Sequence, residues 1–338
     1  MLMNQQSQGF LNHVLGGIAS FAQHHLAERR IHHERLAFLH NAIEQVVDAS
    51  EPRIRLIGNY QEKLADPVET ALHHSGRVLQ QLPAAIVLDG HAWANDLQVN
   101  AFFATAADVR TVLSEDAQVR AFFAEHPGPE CFALLLMVKQ EVETFGTAMD
   151  GEMLVREVRQ IRVSFSHHHL FFPTASEAEL RRELKQRMLM FLATRAQDRI
   201  NELRTGRGAL EEQRRQLQAQ LRAWRMQGQG LRPLLSSADT DERRLAELEQ
   251  RLIRTEGDLV SARKQLGTLD DYLEQVRQVL SQPETYLRVQ PLALRLNRLG
   301  LKLAENSPEA GETLSLIELA SLGEQRIGTL VRFGREGG

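Results

Sequence analysis

The sequence has little cysteine and none of the short motifs that mark common catalytic sites. Its 338 residues include one cysteine, Cys131, which excludes an intramolecular disulfide framework and a cysteine-built zinc site. There is no Walker loop, no G-x-G-x-x-G, no H-E-x-x-H and no G-x-S-x-G. Cys131 begins a strongly apolar segment, so we expect a buried thiol and not a nucleophile. The sequence therefore favours a non-enzymatic function.

Long apolar runs are also lacking. No stretch approaches the roughly 18 consecutive apolar residues that mark a membrane-spanning helix. Residues 1–8 are polar and do not resemble the basic start and apolar core of a signal peptide. The formal net charge is only −4, and 25% of residues are charged, as in ordinary soluble proteins. These features predict a soluble, cytoplasmic protein.

Two stretches carry the same seven-residue apolar repeat. Each repeat has eleven positions that alternate by three and four residues, which is typical of a coiled-coil seam. The first comprises Leu189, Ala193, Ala196, Ile200, Leu203, Arg207, Leu210, Arg214, Leu217, Leu221 and Trp224. The second comprises Leu245, Leu248, Leu252, Thr255, Leu259, Ala262, Leu266, Leu269, Leu273, Val276 and Leu280.

The two repeats match when one is read backwards. If Trp224 faces Leu245, the polar interruptions coincide with small partners: Arg214 faces Thr255 and Arg207 faces Ala262. An arginine stem can lie along such a layer while its head reaches water. A parallel dimer would place each arginine against its own copy, which charge repulsion disfavours. The pattern predicts an antiparallel hairpin within one chain.

The predicted fold class is mainly α, and helix breakers and caps suggest four segments. A long intramolecular antiparallel coiled-coil hairpin follows an N-terminal helical/α+β domain and precedes a small C-terminal antiparallel β meander. Ser176-x-x-Glu179 has the form of a capping box at the start of the hairpin. The predicted segments are a helical hairpin (1–83), helices plus a β-hairpin in the same globular unit (84–175), the coiled-coil hairpin with its tip at 226–240 (176–283), and the meander (284–338).

The hairpin tip contains three leucines, Leu231, Leu234 and Leu235, close to Pro233. Apolar side chains at a loop tip sometimes mark an interface, so these leucines are the predicted partner-binding residues. The alternative is that they only close the end of the coil.

A histidine and glutamate cluster is the best candidate for metal chemistry. His25, Glu28 and His32 share one face of a predicted helix. A second helix that folds back would bring His74 level with them. Imidazole and carboxylate groups on facing helices can bind a divalent metal. Because the spacing matches no specific metal motif, ordinary solvated or hydrogen-bonded histidines are the alternative. No other cofactor is predicted.

The first repeat lies in a basic stretch. Residues 181–225 hold 12 basic and 5 acidic residues, whereas residues 241–280 hold 7 and 9. Nucleic-acid binding would use such a basic face, but aromatic interleaving and a recognised module are missing. The leading hypothesis is a non-enzymatic scaffold or assembly protein with protein partners in a larger cytoplasmic complex. The alternatives are a metal-binding helical protein and a nucleic-acid-associated coiled-coil protein.

Overall fold

The computed structural model describes residues 33, 35–150, 153–227, 238–304, 307, 309–321 and 324–335. The chain forms two compact units, each built from two separate stretches of sequence. One comprises residues 1–69 and 193–281, which we call the arm unit. The other comprises residues 70–192 and 282–338, which we call the sheet unit.

Helices make up most of the described chain. They are α1 (35–50), a 3-10 helix (Pro52–Leu56), α2 (Tyr60–Gln80), α3 (Gly90–Asn95), α4 (Leu97–Phe102), α5 (Ala106–Glu115), α6 (Ala117–Glu125), α7 (Glu177–Gln227), α8 (Ala238–Gln265), α9 (Leu269–Ser281) and α10 (Pro283–Tyr286). The strands are β1 (Ile86–Val87), β2 (Glu130–Asp150), β3 (Met153–Thr174), β4 (Arg288–Leu296), β5 (Glu312–Ser321) and β6 (Glu324–Gly334).

The sheet unit contains one sheet with the strand order β3-β2-β6-β5-β4, and β1 adds to β6 in parallel. Strands β4, β5 and β6 form the predicted antiparallel meander. The meander continues into a larger sheet, because β6 pairs with β2 from Glu130↔Gly334 to Met137↔Ile327. Ala133, Leu134 and Leu135 of β2 are all buried, so β2 presents apolar side chains to both faces of this sheet. A strand that is apolar on both sides needs cover on both faces of its sheet.

The two faces of this sheet are covered by different helices. Helices α3–α6 supply Phe102, Phe103 and Phe122 to a core that also contains Leu135 and Val331 of the sheet. On the other face, the end of α2 and the start of α7 pack on the sheet. That second core contains Leu79, Leu82, Leu134, Leu180, Leu184, Ile317 and Leu330. The sheet unit therefore has three layers, with helices on both sides.

Strand β3 bends at three irregular positions. Glu157, His167 and Phe172 all have positive φ, at 61°, 54° and 56°, and register shifts interrupt its pairing with β2 close to each of them. Such bulges place two residues opposite one and re-aim the side chains beside them. Phe172 is the most unusual of the three, because a bulky side chain rarely adopts a left-handed conformation.

The start of α7 is fastened to the end of α2. Ser176 caps α7, since its hydroxyl oxygen accepts a hydrogen bond from the Glu179 amide at 3.3 Å, as predicted. Arg181 then donates to the carbonyl oxygens of Leu79 at 2.5 Å, Leu82 at 3.2 Å and Pro83 at 3.0 Å. Leu79 lies in the last turn of α2 and Leu82 and Pro83 follow it, so the guanidinium supplies donors to carbonyl oxygens at and just beyond the C-terminal end of that helix.

In the arm unit, α7 runs beside α8 and α9. Arg225 contacts Glu249 at 3.3 Å, the Glu211 and Arg263 side chains are 4.0 Å apart, and Arg199 donates to Gln275 at 2.7 Å. Residue numbers rise along α7 as they fall along α8 and α9. The two stretches therefore run in opposite directions where they touch.

The second arm consists of two helices and not one, because α8 ends at Gln265 and α9 begins at Leu269. Thr268 and Asp271 start α9 with side-chain caps, in which Asp271 accepts from the Thr268 amide at 2.7 Å. A Cβ on Gly267 would lie 2.5 Å from the Arg263 carbonyl oxygen, so only glycine fits this break. α7, by contrast, continues through Gly206 and Gly208.

Candidate functional site

The predicted seam positions are withdrawn from solvent in both arms. Each of the eleven positions in either repeat is buried or half-buried. Between Glu202 and Met226, every other position is exposed except Glu211 and Gln218. Between Ala246 and Gln265, every position off the seam is exposed except Glu249. Burial thus follows the seven-residue repeat, and the seam is not a free surface for a partner.

The two seam arginines behave differently. Arg207 donates from Nη1 to the Leu266 carbonyl oxygen at 3.2 Å, and its Nε lies 3.4 Å from Glu211. The Nε of Arg214 is buried and has no hydrogen-bond partner. Thr255 is expected opposite Arg214, but its hydroxyl group donates to the Arg251 carbonyl oxygen of its own helix at 2.9 Å. Arg207 therefore satisfies a carbonyl oxygen just after α8, whereas Arg214 has a buried donor without a partner.

Helix α8 exposes apolar side chains on its outward side. Ile253 is 69% exposed and Val260 is 54% exposed, and seven residues of separation place them on one helix face. Gly257 lies between them on that face, and a Cβ added there would meet nothing within 4 Å. We call Ile253, Gly257 and Val260 the outer stripe. It is the candidate interaction surface of the arm unit.

The predicted tip residues Leu231, Leu234 and Leu235 lie outside the described residues, so their role stays a prediction. Met226, near the end of α7, is 76% exposed.

The predicted metal site falls mostly outside the described residues, since His25, Glu28 and His32 all precede them. His74 is half-buried on α2, and its Nε2 is buried without a hydrogen-bond partner. Within the described part of the chain, no group of three His, Cys, Asp or Glu side chains could hold a metal ion. The four-residue site stays a prediction, which elemental analysis of protein purified without chelators would test.

The basic charge of the first arm is largely neutralised by nearby carboxylates. Eight of the twelve basic residues in 181–225 form ion pairs with described residues, six of them with a carboxylate three or four residues away on the same helix. The eight are Arg181, Arg182, Arg187, Arg195, Arg204, Arg207, Arg215 and Arg225. A surface that tracks a phosphate backbone needs cations that are available to it. The first arm therefore offers fewer unpaired cations to a phosphate backbone than its composition indicates.

A polar cluster in the arm unit could not be found from sequence patterns. The buried carboxylate of Glu51 accepts from Arg53 at 2.7 Å and from Arg204 at 3.0 Å. The guanidinium carbons of Arg53 and Arg204 lie 5.1 Å and 5.8 Å from the centre of the Tyr272 ring. We call these four residues the Glu51 cluster. It joins α7 and α9 to the short 3-10 helix, through residues that are far apart in sequence.

Cys131 is fully buried, as predicted. Desolvation raises the pKa of its thiol to about 12, so the thiolate form is scarce at neutral pH. A nucleophile needs that form, and this position is unsuited to the role.

The comparisons identify no relative. No protein family, no curated protein and no solved structure matches the chain. Within the described residues, no helix is both long enough and apolar enough to cross a membrane.

Proposed function

We propose that the chain is a non-enzymatic assembly protein, in which α7 and α8 pack as an antiparallel coiled coil within one chain. The observation that supports this best is the burial pattern, because solvent exposure follows the seven-residue repeat in both arms. Amphipathic helices with this period bury their seam against a second helix.

Two contacts between the arms support a constant register. If Arg207 and Leu221 are a positions, Glu211 and Arg225 are the e positions that flank the seam. Their partners, Arg263 and Glu249, hold the equivalent e positions of α8. Glu211 and Arg225 are two heptads apart, and so are their partners. The two helices therefore keep the same register between the two contacts, with no extra residue on either helix, as expected for continuous heptad packing.

A seam used within the chain leaves outward faces for partners. Gly257 is unfavourable within a helix by about 1 kcal/mol relative to alanine, and no neighbour within 4 Å requires it. Exposed Ile253 and Val260 flank it. A helix of a partner protein could approach closely over Gly257 and bury both side chains. The outer stripe is thus the proposed docking site for an apolar helix.

Crosslinking tests the architecture. Cysteines introduced by Glu211→Cys and Arg263→Cys should form a disulfide within one chain. Cys131 can remain, since it is buried and its thiol pKa is raised. The control pair is Glu212→Cys with Arg263→Cys, because Glu212 lies one position round the helix. Efficient crosslinking that occurs only between chains would contradict the hairpin.

Site-specific photo-crosslinking tests the function. A photoreactive residue at position 253 or 260 of the full chain, produced in its native organism, should capture one protein species in a fixed ratio. Position 254, which is exposed beside the outer stripe, is the control. Ile253→Glu should abolish capture from position 260. Equal capture at all three positions, capture of nucleic acid, or no protein product would contradict the proposal.

A further inference from the structure

The sheet unit contains an apolar pocket of about 480 Å³. Its floor is the sheet face that carries Leu136, Ile317 and Leu319, and one wall is formed by Leu184 and Met188 of α7. This volume lies within the range of roughly 300–1,000 Å³ that is typical of small-molecule sites. The pocket is large enough for part of an organic ligand, and none of its lining residues belongs to the proposed docking site on α8.

Every charged side chain that lines this pocket, among the described residues, is an arginine. They are Arg187, Arg288 and Arg326. Arg288 has no ion-pair partner among the described residues. Arg187 donates from Nε to Glu183 at 2.7 Å, and no described residue takes its other N–H groups. An apolar cavity with a cationic rim is complementary to a molecule with an apolar body and an anionic end.

Phe172 lines the apolar pocket and also contacts Arg187 of its cationic rim. Its φ of 56° places a bulky residue in the left-handed region, where backbone strain is maintained only by the surrounding structure. The Phe172 side chain lines the pocket, and the guanidinium carbon of Arg187 lies 5.0 Å from the ring centre. This contact positions the Arg187 guanidinium beside the cavity. Strained residues of this kind are common in ligand clamps.

The pocket floor is fixed by close packing. A Cβ on Gly328 would lie 2.9 Å from Cδ2 of Leu136 and 3.2 Å from Cγ1 of Ile317. Leu136 and Ile317 therefore pack directly on the backbone of β6 at Gly328. Because interiors packed this tightly are not readily rearranged, the floor is preformed.

We infer that this pocket binds one long-chain anionic amphiphile, a fatty carboxylate, with its chain in the apolar cavity and its carboxylate at the arginines. Arginine recognises a carboxylate through paired N–H donors. Among the described residues that line the pocket, none is acidic, so its arginines would repel a cationic amphiphile. The inference uses no feature of α8 and does not rest on the proposed assembly function.

Calorimetric titration of the full chain tests the inference. Laurate, below its micelle concentration, should bind saturably with one molecule per chain. Dodecanol and dodecylamine have the same tail with a neutral or cationic end, and both should bind at least tenfold more weakly. A tenfold change corresponds to the loss of about one charge-assisted hydrogen bond.

Variants locate the site. Arg187→Gln and Arg288→Gln should each weaken laurate binding roughly tenfold. Arg182→Gln is the matched control, since it removes the same charge from an exposed position of α7 outside the pocket, and it should bind normally. Met188→Trp should narrow the cavity and weaken laurate binding while the circular dichroism spectrum stays that of a folded chain.

Four outcomes would overturn the inference. The first is no saturable binding of laurate to the unaltered chain. The second is equal affinity for laurate and dodecanol, which would remove the role of the arginines. The third is an equal effect of Arg182→Gln and Arg187→Gln. The fourth is binding to phosphatidylglycerol vesicles without binding to monomeric laurate, which would indicate a membrane surface and not a single-molecule site.

Discussion

Arg207 of α7 donates a hydrogen bond of 3.2 Å to the Leu266 carbonyl oxygen, immediately after the last residue of α8. One of the two arginines that interrupt the first repeat thus satisfies a carbonyl oxygen at the place where the second arm breaks.

Replacing this arginine should destabilise the arm unit. Arg207→Ala removes the hydrogen bond to Leu266 and the packing of the arginine stem. We expect the free energy of unfolding to fall by about 1–2 kcal/mol. Urea denaturation followed by circular dichroism measures this change. Arg215→Ala, at a more exposed ion pair, should change stability by less than about 0.5 kcal/mol. Equal effects of the two substitutions would remove the special role of Arg207.

Glu51→Gln tests the Glu51 cluster. The substitution replaces a buried carboxylate that accepts from two arginines by a neutral amide. Since Arg53 and Arg204 are about half exposed, solvent screens the loss, and we expect a destabilisation of about 1–2 kcal/mol. Arg53→Lys should lose less, because the charge remains.

The Glu51 cluster also predicts a pH dependence. Hydrogen bonding to Arg53 lowers the pKa of Glu51 from its ordinary value of 4.5. A lowered folded-state pKa stabilises the fold above pH 4.5, and this contribution is lost as the pH falls through the folded-state pKa. The free energy of unfolding, measured at a series of pH values, should therefore decrease less steeply with falling pH in Glu51→Gln than in the unaltered chain. An unchanged slope would contradict this account.

His168 should make the sheet unit sensitive to mild acid. Its ring stacks on Phe103 at 4.3 Å, and Nε2 lies 2.8 Å from the Phe102 carbonyl oxygen. Desolvation lowers its pKa from 6.5, although nearby Asp108 acts in the opposite direction. The unfolded chain then binds the proton more readily, so the free energy of unfolding falls as the pH drops below 6.5. His168→Gln should flatten this decrease, whereas His167→Gln, at an exposed neighbour, should not.

Two glycine substitutions should have opposite effects on stability. Gly257→Ala places a methyl group in open space and should stabilise α8 by about 0.5–1 kcal/mol. Gly328→Ala forces a methyl group against Leu136 and Ile317 and should destabilise the sheet unit by about 1–3 kcal/mol. Thermal unfolding measures both. If the outer stripe binds a partner helix, Gly257→Ala should also reduce photo-crosslinking from position 260. Unchanged crosslinking would show that close approach at Gly257 is not needed.

Local signals in the sequence predicted local structure well. The seven-residue repeats identified the positions that are buried in both arms, and Ser176 marked the start of α7. In each case the signal depends on residues within one or two helical turns, where periodicity and capping act directly.

Long-range pairing was not predictable in the same way. Nothing in β6 specifies β2 as its neighbour, because many apolar strands satisfy the same alternation. The Glu51 cluster joins charged residues that look like ordinary surface residues when read singly. Proline usually kinks or ends a helix, yet α2 continues through Pro67. Burial of Leu64, Val68 and Ala71 outweighs the one hydrogen bond that proline removes. The pocket of the sheet unit depends on the same long-range packing.

The pairing of β2 with β6 sets an order of events during synthesis. Met137 leaves the ribosome about 190 residues before its partner Ile327, a delay of roughly 10–40 s at about 5–20 residues per second. During that interval, one edge of β2 has no strand beside it. An unpaired apolar edge can template aggregation, so the nascent chain needs protection until β6 emerges. A chain shortened before β6 would keep that edge permanently open, and we expect it to be insoluble.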